Sequence, residues 1–398
     1  MWVALRTRRL AHRPATIRRR GERSPEGLDV TGASAALSRR RPPTPFTVAS
    51  GQVRLRRIDG WRRIAAVPIQ PVISRRAFLA TVSGGLLAAP LAAQAQRAGK
   101  MWRIGWLSQP SAATGGSELD ALRNGLRELN YVEGRNIRIE AQWADDDPAR
   151  LPELARALVQ LDVDVICTAG TPATLAAKQA TTKIPIVFSR AAFPDRTGLI
   201  TSLARPGGNL TGVAFIGPEY GKRLELLREV APKISRVTLF YNDKNSASVL
   251  AMEETRQWAQ SLRVVLEPLG LHDRPSLEAS FAAMRRRRPD AVMTTADALL
   301  LSYRTLIVDF ANRQRLISMY GDREYVKVGG LMFYGTSTTD MWRQAAIYVD
   351  RILKGAKPGE LPVEQPTKFE LVINMKTVKA LGLKIPPSVL GRADQIIE

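Results

Sequence analysis

The chain has little of what most catalytic chemistry is built from. One cysteine, Cys167, stands among 398 residues, which excludes an intramolecular disulfide and a cysteine-based zinc cluster. Of the two histidines, His12 and His272, only the second lies in the part that reads as folded, so Ser-His-Asp hydrolysis and histidine zinc sites lack their materials. No G-x-G-x-x-G and no G-x-x-x-x-G-K loop occurs, so a nucleotide has no cradle and no cofactor is expected. Apolar runs near the roughly 18 residues of a membrane span are missing beyond residue 100. Acidic residues are also scarce, 37 against 59 Lys and Arg, for a formal charge of +22.

That imbalance is local. Residues 1–100 hold twenty basic and four acidic side chains, a charge of +16, which leaves +6 for residues 101–398. Residues 1–70 carry sixteen arginines, no lysine, and proline and serine clusters without a sustained apolar period, so they cannot bury a core. The expectation for 1–73 is a disordered arginine-rich extension. Because no Met falls between Met1 and Met101, it is read as an over-extended start of translation, the true start lying near Val72.

Ser74-Arg75-Arg76-Ala77-Phe78-Leu79, the mildly apolar run Ala80 to Ala89, and Ala93-Gln94-Ala95 then repeat the three-part layout of a twin-arginine export signal over 74–95. Cleavage after Ala95 would release a chain beginning at Gln96 into the periplasm, without a cysteine for lipid anchoring. An arginine arm upstream of a cleaved signal does not stay with the exported protein, so no nucleic-acid partner is expected. A monomer is expected.

From residue 102 onward, strands and helices alternate. Continuous apolar stretches read as strands over Trp102 to Ser108, Asn136 to Trp143, Val163 to Thr168 and Ile184 to Ser189. Helices are expected between them over Glu118 to Asn130, Pro148 to Gln160 and Pro172 to Ala180, with leucines at three- and four-residue spacing. After the turn-rich Ala204 to Asn209 and a strand from Leu210 the series starts again, with strands at Arg236 to Tyr241, Val264 to Glu267, Ala291 to Thr294 and Leu316 to Tyr320. This pattern predicts an α/β protein of two doubly wound Rossmann-like lobes joined by a hinge. Residues 96–215 form the first lobe and 216–354 the second, while the segment 355–398 is expected to return to the first.

Open parallel sheets bind ligands at the carboxyl ends of their strands, so the cleft between the lobes is where a small solute would sit. On the first lobe that edge offers Ser108 and Gln109, Gly170 and Thr171, and Ser189. Thr171 is placed to cap the helix that follows and Pro172 to occupy its first position, leaving amides to receive a ligand carboxylate. The second lobe offers Asn242, Thr295, Asp297 and Asp322. Asp322 is the first choice for an ammonium group, whereas Asp297 equally reads as a plain helix cap. Trp106, Phe188, Phe215 and Tyr334 are candidates for stacking on a ligand ring.

Several stretches carry a family resemblance. They are Gly170-Thr171-Pro172-Ala173, Leu203 to Gly212 (LARPGGNLTG), Lys222 to Leu227 (KRLELL) and, most specifically, Leu361 to Asn374 (LPVEQPTKFELVIN). Over about residues 74–398 the chain resembles the substrate-binding proteins of ABC importers of the tryptophan/tyrosine type. Where such proteins often carry Gly-Asp-Pro after the fourth strand, this chain has Ala192-Phe193-Pro194-Asp195. The resemblance implies a type I periplasmic-binding-protein architecture that closes on a small solute and delivers it to a permease and ATPase in the inner membrane. A periplasmic sensor feeding a signalling receptor would share the same fold, and an enzyme is not expected.

Overall fold

The computed structural model describes residues 100–215 and 219–398. The expected arginine-rich extension and the expected export signal fall outside the described residues. The first lobe is built from β1 (Trp102–Ser108), α1 (Ala112–Glu128), β2 (Ile137–Trp143), α2 (Leu151–Gln160), β3 (Val165–Ala169), α3 (Gly170–Ala180), β4 (Ile186–Ala192) and β5 (Leu210–Phe215). Its five strands are all parallel, in the order β2-β1-β3-β4-β5. Central strands such as β3, Val165 to Ala169, are buried along their whole length, as a sheet covered on both faces requires.

The second lobe follows with α4 (Glu219–Val230), β6 (Arg236–Asn242), α5 (Ser246–Ser261), β7 (Val265–Leu271), α6 (Arg274–Arg287), β8 (Ala291–Thr294), α7 (Ala298–Ser302), α8 (Arg304–Arg313), β9 (Ile317–Tyr320), α9 (Glu324–Lys327) and β10 (Met332–Thr336). The tail comprises α10 (Thr338–Leu353), β11 (Phe369–Asn374), α11 (Met375–Leu381), α12 (Pro387–Leu390) and β12 (Gln395–Ile397). The second sheet has the order β12-β11-β10-β9-β8-β6-β7, with β10 and β11 antiparallel.

The tail corrects the expected lobe boundary. α10 does not cap the second lobe; Met341, Trp342, Ala345, Ala346 and Val349 lie in one core with Ile104, Trp106, Leu122 and Leu126 of the first. The chain then runs beside β5, where Val363 and Glu364 donate backbone hydrogen bonds to Leu203 and Gly212. β11 returns to the second sheet, where Leu371 and Ile373 join its core. The chain therefore passes between lobes three times: between Phe215 and Glu219, between Thr336 and Thr338, and between Glu364 and Phe369. α10 could leave its own sheet because its apolar stripe matches a helix of small residues. A Cβ on Gly125 of α1 would lie 2.9 Å from Ala346 Cβ and 3.0 Å from Arg343 Cα, so glycine is what lets the two helices approach.

Candidate functional site

The carboxyl ends of both sheets face one cavity of about 50 Å³. Gln109, Glu118, Gly170, Thr171, Arg190 and Phe215 line it from the first lobe, and Tyr220, Asn245, Asp297 and Leu301 from the second. Of the residues expected at the site, Gln109, Gly170, Thr171, Asp297 and Phe215 meet there.

The floor of the first lobe is the start of α3. Ala169 occupies the N-cap position and makes no side-chain cap, so Thr171 is not the capping residue that the sequence suggested. Its Oγ1 instead accepts a hydrogen bond from the Ala192 amide at 3.1 Å, fastening α3 to β4. Gly170, at φ +80, opens the helix, and Pro172 takes the third helical position rather than the first. As at any helix start, the first amides have no partner in the helix and carry the positive end of its dipole. Beside them Gln109 is 2% exposed, and its Nε2 finds no acceptor. Ser108 and Ser189 are fully buried with unpartnered hydroxyls, but neither lines the cavity.

The ion pairs are where sequence reasoning fell short. Between Ser189 and Ala191 the register of β4 against β5 shifts, and Arg190 adopts φ +62. This bulge turns the Arg190 side chain out of the ladder, as bulges beside binding sites do. Its Nη1 donates to Glu118 of α1, and its Nη2 to Asp322 of the second lobe at 2.7 Å. The other Glu118 oxygen accepts from Trp342 Nε1 at 3.4 Å. Asp322 is thus not an open ammonium receptor: Oδ2 holds Arg190, and Oδ1 accepts from the Glu324 amide at 3.0 Å.

Burial raises the Glu118 pKa, although the Arg190 charge pulls the other way. Burial acts to lower the Arg190 pKa, but Glu118 and Asp322 together outweigh it, so its net shift is upward and the guanidinium stays charged.

Asp297 is held as a cap. Its Oδ1 accepts from the amides of Leu299 at 2.9 Å and Leu300 at 3.3 Å, and its Oδ2 from Asn245 Nδ2 at 2.8 Å. Asn242 Nδ2 adds a bond at 3.1 Å, so Asn242 supports Asp297 instead of lining the cavity. Thr295 is spent on Ser248, oxygen to oxygen 2.7 Å. Trp106 and Phe188 are fully buried in the first lobe's cores, and Tyr334 stacks on Phe369 at 5.9 Å, away from the cavity.

Arg190, Glu118, Tyr220 and Asn245 were missed. Glu118 had a legible signal: with Gly115, Leu122 and Gly125 it lies on the buried stripe of α1, where an acid needs a partner. Arg190 gave none, because a bulge is invisible in a single sequence. The lobes also meet at Phe193, which packs with Tyr220 and Ala251, and at an Arg196–Glu254 pair of 2.6 Å.

Residues 112–397 match a family described as ABC transporter substrate binding protein. A tyrosine-binding protein of Clostridioides difficile (strain R20291) is 26% identical over 260 residues, 65% of this chain and 74% of that protein. The crystal structure of a conserved domain protein from Vibrio cholerae is 26% identical, with a TM-score of 0.71 over 75% of this chain and 100% of that one. An ABC domain from Streptococcus pneumonia in complex with L-Trp also gives 0.71 at 24% identity, covering 75% of this chain and 100% of the other. The two doubly wound lobes expected from the sequence are the fold these proteins share.

Proposed function

The chain belongs to the ABC transporter substrate binding protein family, and from that premise we propose that it is the periplasmic receptor of an ABC importer, taking up an amino acid or a related carboxylate, aromatic ones included. One observation carries the reading: a single cavity is lined by the strand ends of both lobes, and three crossings of the chain join those lobes. A solute that touches both lobes at once stabilises the closed arrangement, so binding is coupled to hinge closure. The C. difficile relative, named for tyrosine, and the fold neighbour crystallised with L-Trp support the ligand class.

In this reading the ligand carboxylate rests on the amides that open α3 at Gly170 and Thr171 and on Gln109 Nε2. The opposite end of the ligand meets Tyr220, Asn245 and Leu301. The closed monomer then docks on a membrane permease served by an ATPase, and the solute leaves unchanged, without turnover. Export through the twin-arginine segment 74–95 places the receptor where such a permease opens.

Thermal unfolding of the purified chain against amino acids, aromatic carboxylates, short peptides and sugars tests the proposal. A ligand at about 100 times its Kd adds roughly 2.7 kcal/mol to stability, so a saturable rise with carboxylates is expected. A rise with sugars alone would refute it.

A further inference from the structure

The charges around the cleft, counted by what each already holds, point to a narrower ligand class. An α-amino acid brings a carboxylate and an ammonium group, and the ammonium needs an acceptor of negative charge. Glu118 and Asp297 are the two acids that line the cavity, Asp322 shares Arg190 with the first, and all three are occupied by the protein itself. Glu118 has Arg190 and Trp342, Asp322 has Arg190 and the Glu324 amide, and Asp297 has two asparagine amides and two helix amides. What remains unpaired at the cavity wall is of the opposite kind. Gln109 Nε2 is a buried donor without an acceptor, beside the open amides of an eleven-residue helix. Among the side chains that line the cavity the unfilled valence is therefore donor valence, and it asks for an anion.

We infer that Arg190 is a built-in cation that fills the ammonium position, so that the cleft prefers carboxylic acids lacking an ammonium group over the corresponding amino acids. This rests on the carboxylate reading given above. Arg190 is the specificity determinant because its guanidinium links Glu118 of one lobe to Asp322 of the other, the bridge an ammonium would make. An amino acid would have to displace that guanidinium, leaving it buried without its two partners. A deaminated acid leaves the bridge intact and takes the free donors.

The test uses matched pairs that differ only in the ammonium group, titrated by calorimetry into the full chain. They are 3-phenylpropionate and L-phenylalanine, 3-(4-hydroxyphenyl)propionate and L-tyrosine, indole-3-propionate and L-tryptophan, and propionate and L-alanine. The wild-type chain is expected to bind the deaminated member of a pair at least about tenfold more tightly. Arg190→Ala exposes both acids to a ligand cation, so it should invert the preference; Arg190→Lys, which keeps a charge, should preserve it.

Tighter binding of the amino acid by the wild-type chain, or loss of both members' binding in a folded Arg190→Ala, overturns the inference. If Arg190→Ala does not fold, Arg190→Gln, which removes the charge but keeps most of the bulk and a hydrogen-bond donor, must still shift the preference toward the amino acid. Binding of amino acids alone would leave the proposed function standing and sink only this inference. Binding of neither member of any pair would sink the carboxylate reading itself, and the inference with it.

Discussion

Asp297→Ala should cost at least about 3 kcal/mol of stability, a large share of what holds a domain of this size. The carboxylate caps α7, accepting from Leu299 and Leu300, and a lost cap costs about 1 kcal/mol. It also satisfies the side-chain amides of Asn242 and Asn245, both under 10% exposed, and a buried donor left without an acceptor costs about 1–3 kcal/mol. Asp297→Asn keeps one acceptor oxygen but turns an amide against the amide of Asn245, for a loss of about 1–2 kcal/mol.

The pH dependence has a definite sign. Burial raises the Asp297 pKa, and the bonds from Asn245 and Asn242 offset this only in part, so the folded chain holds the proton more tightly than the unfolded one. The stability linked to that proton is fully present below the unfolded Asp pKa and is lost as pH rises through the raised folded value. Asp297→Asn should flatten this part of the profile. Urea denaturation across pH 3–8, monitored by tryptophan fluorescence, measures both effects. A loss below about 1 kcal/mol for Asp297→Ala, with unchanged m, would refute the capping account.

Two glycines of α1 should respond oppositely to the same change. Gly125→Ala brings a methyl against Ala346 and the Arg343 backbone and should destabilise by about 1–2 kcal/mol, while Gly116→Ala meets nothing within 4 Å and should stabilise by up to about 1 kcal/mol; equal shifts in a thermal melt would disprove the packing of α10 on α1. Burial would by itself raise the Asp290 pKa, but the amides of Ser235 and Arg236 outweigh it and lower the value. Its contribution to stability should be present above the unfolded Asp pKa and be lost as pH falls through the lowered one, and Asp290→Asn should shrink the acid limb of the denaturation profile. Cys167 is fully buried and its thiol pushed up to about 12, so a thiol reagent at pH 8 should label it only in urea; fast labelling of the native chain would place β3 at the surface.

The alternation of apolar strands with leucine-striped helices fixed the class, because a short continuous apolar run and an apolar stripe of period near 3.6 are both written locally. β1 and β8 run where the pattern put them, at Trp102–Ser108 and Ala291–Thr294. Boundaries slipped where packing overruled local preference. α1 begins at Ala112, six residues before the expected start at Glu118, although Gly115 and Gly116 lie in its first turns. A Cβ on Gly115 would stand 2.9 Å from Trp143, so the close approach of a neighbour explains a glycine that reads as a breaker. β10, at Met332–Thr336, went unseen between glycines and a polar turn.

Of the site, the sequence by itself determined the elements that supply it, because strand ends and helix starts are local features. Gln109, Gly170, Thr171 and Asp297 could be named on that basis. What each side chain does once there was decided by the tertiary structure. Asp322 and Asp297 are both acids following a strand, and nothing local separates them; only the fold gives one to an arginine 132 residues away and the other to two asparagines and a helix start. The same holds for the return of α10 to the first lobe, since its apolar stripe fits either sheet and the glycine of a distant helix settles which. Periodicity is a property of neighbours in the chain, whereas charge pairing and close packing belong to neighbours in space.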